Sequence, residues 1–287
     1  MTNVLRTINL SDASPITLRD IYDDNVIRSI NINQINGRFM VTEPFDDDDS
    51  VGGCVKIYPS SRGLQVAETK ILKSFGSYGS LHGPSDAVFG YIRSKIWIAD
   101  ALNHRVLKIN AKTYSVDANI KNKFYYPHAL SLDLNTGGIF VKAYDDIYFG
   151  HGIIYHFDHN GSMINSFKYL SESDDSSSSE SEEFVSSSSS GSFFPNLPSS
   201  SSMSYDHVRS RLWWVDQNTS YMVDLNNLQV QSYNLNSDGF ARLYNITIEF
   251  SSGNALIIAE DRHADKFVLQ MFRDNNALLA SGYVEYD

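Results

Sequence analysis

Four carboxylates occupy matching places in this chain: Glu43, Asp100, Asp216 and Glu260 each close a short, mainly apolar run. The runs are Met40-Val41-Thr42, Trp97-Ile98-Ala99, Trp213-Trp214-Val215 and Ile257-Ile258-Ala259, and a fifth, Phe140-Val141-Lys142, ends in Ala143 instead of an acid. Carboxylate oxygens are the donors that hard divalent cations take, so a ring of such acids would be a metal site. A second acidic feature, Asp46-Asp47-Asp48-Asp49, also offers oxygens. Its consecutive spacing lacks the alternation of a calcium loop and reads as a solvated acidic loop. His151, His156 and His159 form no metal pair by spacing, since His156 and His159 fall on opposite sides of a strand, the latter in a turn. The chain contains no Gly-x-Ser-x-Gly elbow, phosphate loop or His-Glu-x-x-His. No catalytic residue, metal ligand or cofactor is expected.

The spacing of the runs says what positions them. Their first residues lie 57, 43, 73 and 44 positions apart. A repeat of about 40–45 residues built from short strands is the pattern of β-propeller blades. The chain is therefore expected to be all-β, a single domain over residues 1–287 with five blades of four antiparallel strands, six being the alternative. In the second repeat the strands centre on Ala87-Val88-Phe89, Ile96–Ala99, Arg105–Ile109 and Ser115–Ala118; in the third on His128–Leu132, Ile139–Val141, Ile153–His156 and Met163–Ser166. Val, Ile, Tyr and Phe enrich these stretches, and Gly, Asn, Asp and Ser bound them. The recurrent acids then end the second strand out from the axis. They stand too far apart to share an ion, and are expected to brace the loops that follow. Val4–Leu10 reads as a surplus strand, expected to close the ring by pairing near residues 278–284 or to pair with another chain.

Turns joining first to second strands, such as Asn135-Thr136-Gly137-Gly138, are short, as are those joining third to fourth, such as Asp158-His159-Asn160-Gly161. The connections at the other end are longer. In an up-and-down blade they share one face, where function grows from a rigid scaffold. The candidate interaction residues on that face are Asp46, Asp47, Asp48, Asp49, Tyr144, Tyr148, Phe149, Phe193 and Phe194, aromatics being favoured at interfaces. Residues 171–202 are a Ser- and acid-rich insertion around Phe193-Phe194-Pro195-Asn196-Leu197-Pro198. Such composition offers too little apolar surface to offset ordering. The segment reads as a surface excursion or as a tether docking on a neighbouring subunit, and is similar in composition to segments of tailed-phage structural proteins.

The second repeat resembles the NHL-repeat family. The residues that carry this are Gly76-Ser77-Tyr78-Gly79, then His82-Gly83-Pro84-Ser85-Asp86, then Ile96-Trp97-Ile98-Ala99-Asp100 and Asn103-His104-Arg105 before the third strand. The third repeat keeps Tyr126-Pro127-His128, the fifth Glu260-Asp261-Arg262-His263, and the first and fourth only the strand pattern with Asp216. The resemblance implies a propeller of four-stranded blades. It marks Pro84, Asp100, Asn103, His104, Arg105, Pro127, Asp216 and Glu260 as motif positions of structural character. It implies no activity, because one fold hosts many.

Composition narrows the partners. The formal charge is −11 over 287 residues with a pI near 5.1, which argues against a phosphate backbone or an anionic membrane as partner. No stretch is long and apolar enough to span a bilayer, and Met1–Arg6 has no signal-peptide pattern. A cytoplasmic or virion location is expected. The lone Cys54 lies in a strand-like stretch and reads as a small core residue. The function expected is a non-catalytic module binding a protein, either itself or other subunits of an assembly, or a glycan. A carbohydrate-binding receptor module and a metal-dependent lactonase- or lyase-like enzyme are the alternatives.

Overall fold

The structure is a computed structural model. It describes residues 3–8, 15–21, 28–32, 38–44, 52–58, 70–90, 93–145, 152–169, 202–216, 219–234, 240–249, 251–261, 266–273 and 278–283. The chain packs as two compact units, residues 1–167 and 168–287.

The first unit opens with a hairpin, β1 (Asn3–Ile8) paired antiparallel to β2 (Pro15–Ile21). This corrects the expectation for the described part of residues 4–10, Val4–Ile8. Their partner is the alternating segment Ile16-Thr17-Leu18-Arg19, close enough in sequence for a local hairpin that costs little loop entropy. Three four-stranded sheets follow, each an antiparallel meander in chain order. The first blade is β3 (Ser29–Ile32), β4 (Phe39–Glu43), β5 (Cys54–Tyr58) and β6 (Lys70–Leu72). The second is β7 (Pro84–Gly90), β8 (Lys95–Asp100), β9 (Arg105–Asn110) and β10 (Val116–Lys121). The third is β11 (Tyr125–Leu132), β12 (Ile139–Tyr144), β13 (Gly152–Phe157) and β14 (Met163–Tyr169).

The second unit holds two more meanders. The fourth blade is β15 (Met203–Asp206), β16 (Arg211–Asp216), β17 (Thr219–Asp224) and β18 (Gln229–Asn234), and the fifth is β19 (Phe240–Glu249), β20 (Asn254–Asp261), β21 (Lys266–Phe272) and β22 (Leu278–Tyr283). Within each unit the first strands of successive blades are neighbours, β3 beside β7 and β7 beside β11, and β15 beside β19. The first strand is thus the inner one and the fourth the outer.

The recurrent runs fall on the second strand of each blade: β4, β8, β12, β16 and β20. They are apolar at consecutive positions because both faces of a blade are covered, so alternation gives way to a continuous buried run. Trp97, Ile98 and Ala99 are all fully buried, as are Trp213, Trp214 and Val215. The fifth blade departs from this, with Ile257 and Ala259 buried but Ile258 37% exposed. Packing between the second and third blades is led by Trp97, Val106, Phe124, Val141, Tyr155 and Phe157. Phe124 meets Tyr155 at 5.4 Å and Phe157 at 6.1 Å between ring centroids, within the range of favourable aromatic pairs.

Candidate functional site

The loop end of the second blade carries a dense polar constellation. Asp100 and Arg105 are register partners at the mouth of the β8–β9 hairpin. A 3-10 turn, Ala101–Asn103, links them and stops at His104 in the left-handed conformation (φ 50°, ψ 43°). Asp100 is fully buried. Its Oδ1 accepts the His82 backbone N–H at 2.7 Å, and its Oδ2 accepts Asn103 Nδ2 at 2.8 Å and Arg105 Nε at 2.6 Å. The Arg105 fork also donates to the carbonyls of Tyr78 and, at 3.0 Å, Ser80. Asn103 Nδ2 adds a bond to Ser80 O at 3.0 Å. Burial pushes the Asp100 carboxyl above its ordinary range, against the pull of His82, Asn103 and Arg105. Both carboxylate oxygens of Asp100 are thus filled, and Asp100, Asn103 and Arg105 together tie Tyr78, Ser80 and His82 to the hairpin. The arrangement is a brace; it leaves no carboxylate oxygen of Asp100 directed at solvent.

Pro84 begins β7 opposite Asp100. Gly53 packs on it with φ +139°, and a Cβ there would lie 2.4 Å from Pro84 Cδ. Only glycine allows that approach. Gly83 N–H donates to Gly52 O at 2.9 Å, closing the contact between the first and second blades.

His104 faces the third blade. Its Nδ1 accepts the Tyr126 N–H at 3.2 Å. Its ring meets Tyr126 edge-on at 4.4 Å (90°) and Tyr125 at 5.3 Å (65°). Burial holds the His104 imidazole below its ordinary pKa. Tyr126 sits at φ 44° immediately before Pro127, and the β11–β12 register shifts between Tyr125 and Ala129. Positive φ in a bulky residue, at a position that proline biases toward extended backbone, is stored strain. A bulge is a device for re-aiming side chains. The result is that Tyr125 is 37% exposed, as Tyr78 is at 42%. The buried Pro127 accepts Ser85 Oγ at 2.8 Å through its carbonyl.

Sequence reasoning missed the tie between inner strands. Asp86 accepts Leu130 N–H of the third blade and Ala87 N–H at 2.8 Å each, and the Ser29 hydroxyl of the first blade. Burial pushes its carboxyl up to about 6 against those donors. The only signal available was a polar Ser85-Asp86 pair on a strand where a packed sheet would place apolar residues. His128 is buried, gives Nδ1–H to Tyr126 O at 2.9 Å, and has no partner for Nε2. Burial and the nearby Lys142 push its imidazole down to about 3. Tyr144 ends β12 with its ring 5.1 Å from His128.

The remaining candidates separate. Glu43, buried, pairs with Lys56 at 2.8 Å and accepts Cys54 Sγ at 3.5 Å. His156 bonds Asp133 at 3.0 Å and stacks on Phe140, while His159 offers its backbone carbonyl to Lys108 Nζ. Among the described residues no three His, Cys, Asp or Glu side chains converge as metal ligands. Asp46, Asp47, Asp48, Asp49, Tyr148, Phe149, His151, Phe193 and Phe194 lie outside the described residues, as do the side chains of Asp216 and Glu260. Ser202, the end of the expected insertion, is described: its Oγ donates to Asn245 Oδ1 at 2.8 Å. Among the described residues no helix is long and apolar enough to cross a membrane.

No family model matches this chain, and no curated protein matches it in sequence. Its fold does match solved structures. A chain of the nidogen/laminin complex superposes with a TM-score of 0.66 at 10% identity, over 99% of this chain and 91% of that one. A chain of Kuenenia stuttgartiensis hydrazine synthase superposes with a TM-score of 0.50 at 10% identity, over 70% of this chain and 49% of that one. At such identity the likeness speaks to fold alone, and the fold is an all-β propeller of five four-stranded antiparallel blades.

Proposed function

We propose that this chain is a non-catalytic interaction module that presents the loop end of its blades to a protein partner within a larger assembly. One observation carries the reading. At the loop end of the second blade the chemistry-bearing side chains Asp100, Asn103 and Arg105 are closed on each other and on backbone, while Tyr78 and Tyr125 stand exposed. Rigid backbone under exposed aromatics is what a binding surface needs, since ordering costs are met in advance. The matched nidogen/laminin structure is itself a protein–protein complex. The NHL-repeat resemblance over residues 76–109 agrees with a propeller used as a scaffold. The Ser- and acid-rich composition of residues 171–202 fits a component of a virion-like assembly.

The test is isolation of the chain with its native partner, followed by hydrogen–deuterium exchange with and without that partner. Protection is expected at residues 76–83, 101–105 and 125–127. Protection confined to the opposite turns, such as 133–138 and 158–162, would reject the reading. A glycan array run in parallel addresses the carbohydrate-receptor alternative, which would be favoured by a saturable sugar ligand competing at the same residues.

A further inference from the structure

The turn ends of the blades follow two designs. The second and fourth blades share one. Ser94 and Ser210 take the left-handed conformation just before β8 and β16, at φ 50° and 55°. Their carbonyls accept Ala111 N–H and Leu225 N–H, each at 2.9 Å. The third and fifth blades share the other. Gly137 and Gly253 stand at φ 75° and 78° and donate to Asp133 O at 2.8 Å and Glu249 O at 2.7 Å. The hydroxyl before each glycine, Thr136 or Ser252, bonds the side chain of Asp133 or Glu249. In each unit an arginine of the first design reaches the glycine of the second. A Cβ on Gly137 would lie 3.8 Å from Arg93 Nε, and one on Gly253 2.7 Å from Arg209 Nε. The junction of the second and third blades therefore corresponds, residue by residue, to that of the fourth and fifth.

Their charges differ. In the fourth blade Arg209 Nη1 donates to Asp206 Oδ2 at 3.1 Å and Nη2 to Ser251 O at 3.4 Å. Asp206 is the register partner of Arg211, which is also opposite Asp224. In the second blade Lys95 holds that middle place, with Gly90 and Asn110 opposite it. Gly90 thus stands where Arg209 has its carboxylate. Lys108, opposite Trp97, stands where the fourth blade has Met222 opposite Trp213. Register partners share one face of a sheet, so Gly90, Lys95 and Lys108 lie together on the face that Trp97 packs against the third blade.

The acids nearby are engaged elsewhere. Asp117 pairs with Lys95 at 2.7 Å. Asp158 accepts the N–H groups of Asn160 and Ser162, and Asp133 accepts Thr136 and His156. Arg93 is exposed and contacts no carboxylate among the described residues. Lys108 is 7% exposed; its ammonium donates to His159 O and lies 5.5 Å from the Trp97 ring centroid, again with no carboxylate in contact among the described residues. Burial, with Lys95 and Arg93 nearby, holds that ammonium below its ordinary pKa against the pull of Asp117 and Asp158. Two cations without a contacting counter-charge thus sit at one junction of a chain whose formal charge is −11.

We propose that Arg93 and Lys108 bind a phosphate group, which does for Arg93 what the Asp206 carboxylate does for Arg209. A guanidinium fork matches phosphate oxygens, a lysine adds a point charge, and two cations suit a dianion. The net charge disfavours a polyanion, so the ligand carries a single phosphate, either as the free ion or on a small molecule. The site is at the turn end of the blades and does not depend on the loop end acting as an interaction surface.

The experiment is calorimetric titration of the full chain with inorganic phosphate, ionic strength being held constant with sodium chloride. One saturable site is expected, and the melting temperature is expected to rise with phosphate. Lys108→Met and Gly90→Asp each copy the fourth blade, and Arg93→Gln alters an exposed side chain. Each is expected to bind phosphate about tenfold or more weakly, as losing a charged hydrogen bond implies. A Cβ at residue 90 would lie 3.3 Å from Lys95 Cβ, so near-ultraviolet circular dichroism checks the fold of Gly90→Asp; if it is unfolded, the other two variants decide. Acetate, singly charged, is expected to bind more weakly than phosphate. Glycerol phosphate binding as well as inorganic phosphate assigns the site to a phosphate carried on a small molecule; binding by inorganic phosphate alone assigns it to the free ion. No saturable phosphate binding, variants that bind as the wild type does, or acetate binding as tightly as phosphate would overturn the proposal. None of these outcomes bears on partner protection at residues 101–105 and 125–127, which tests the interaction reading separately.

Discussion

Asp100 Oδ2 accepts Arg105 Nε at 2.6 Å across the mouth of the β8–β9 hairpin, and Asp100 is fully buried. Removing one member leaves the other charge buried without its counterpart. Asp100→Ala is therefore expected to destabilise the fold by about 3–5 kcal/mol, the usual cost of breaking a buried pair. Arg105→Lys retains the charge but loses the fork that reaches Tyr78 and Ser80. It is expected to lower the unfolding midpoint by a smaller amount. Urea titration followed by Trp fluorescence checks both, and a midpoint unchanged in Asp100→Ala would remove the brace from the account.

Gly53 and Pro84 approach each other closely between the first and second blades. Gly53→Ala meets both an unfavourable φ of +139° and a Cβ placed 2.4 Å from Pro84 Cδ. A loss of at least about 1–3 kcal/mol is expected. Shrinking the neighbour by Pro84→Ala in the same chain should return only the share owed to Pro84, since the Cβ would also lie 2.6 Å from Pro44 O and 2.9 Å from Glu43 O. Thermal unfolding of the single and double variants isolates the share owed to Pro84.

Asp86 and His128 make opposite contributions as the solution is acidified. The folded Asp86 carboxyl titrates near 6, above its ordinary 3.8, so the folded state holds more protons than the unfolded one between those values. Stability from this residue therefore falls as pH rises from about 4 to 6 and is level above. His128 is held near 3 against an ordinary 6.5, so the unfolded state takes up the proton first. Its contribution is present above 6.5 and is lost as pH falls toward 3. Relative to wild type, Asp86→Asn should be handicapped most near pH 4, where the wild type has gained from protonation, and least above pH 6. His128→Phe should retain more of its stability below pH 6. Melting temperatures measured from pH 4 to 7 decide; parallel curves for wild type and both variants would contradict the assignments.

Cys54 is buried beside Glu43, and burial with that neighbouring carboxylate pushes its thiol up to about 12. The thiolate is the reactive species. Labelling by a disulfide reagent at pH 8 is expected to be complete within minutes in denaturant and slow by orders of magnitude in the native protein. Fast native labelling would mean that β5 opens readily.

The blades were legible in sequence because each second strand is covered on both faces. Trp97-Ile98-Ala99 and Trp213-Trp214-Val215 show that as unbroken apolar runs, and their spacing counts the sheets. Asp100, Asn103 and Arg105 were legible as a local motif, since all three lie within six residues of chain. The tie from Asp86 to Leu130 was not, because it joins residues 44 apart through a backbone N–H that has no residue-type signature. The aim of Tyr125 was equally hidden: it depends on a positive φ at Tyr126 that its side chain disfavours and on a bulge set by β12. The N-terminal hairpin was half visible, as Val4–Leu10 without its partner Pro15–Ile21.

The anchoring of Ser202 has a mechanical meaning. Its Oγ bonds Asn245 Oδ1 at 2.8 Å and Ile246 O at 3.3 Å on β19 while Met203 starts β15. Both are inner strands. Tension applied through the serine-rich stretch would enter the second unit at its most interior strands instead of peeling an outer edge. A pull arriving at Ser202 is therefore shared by the inner strands before any edge strand feels it.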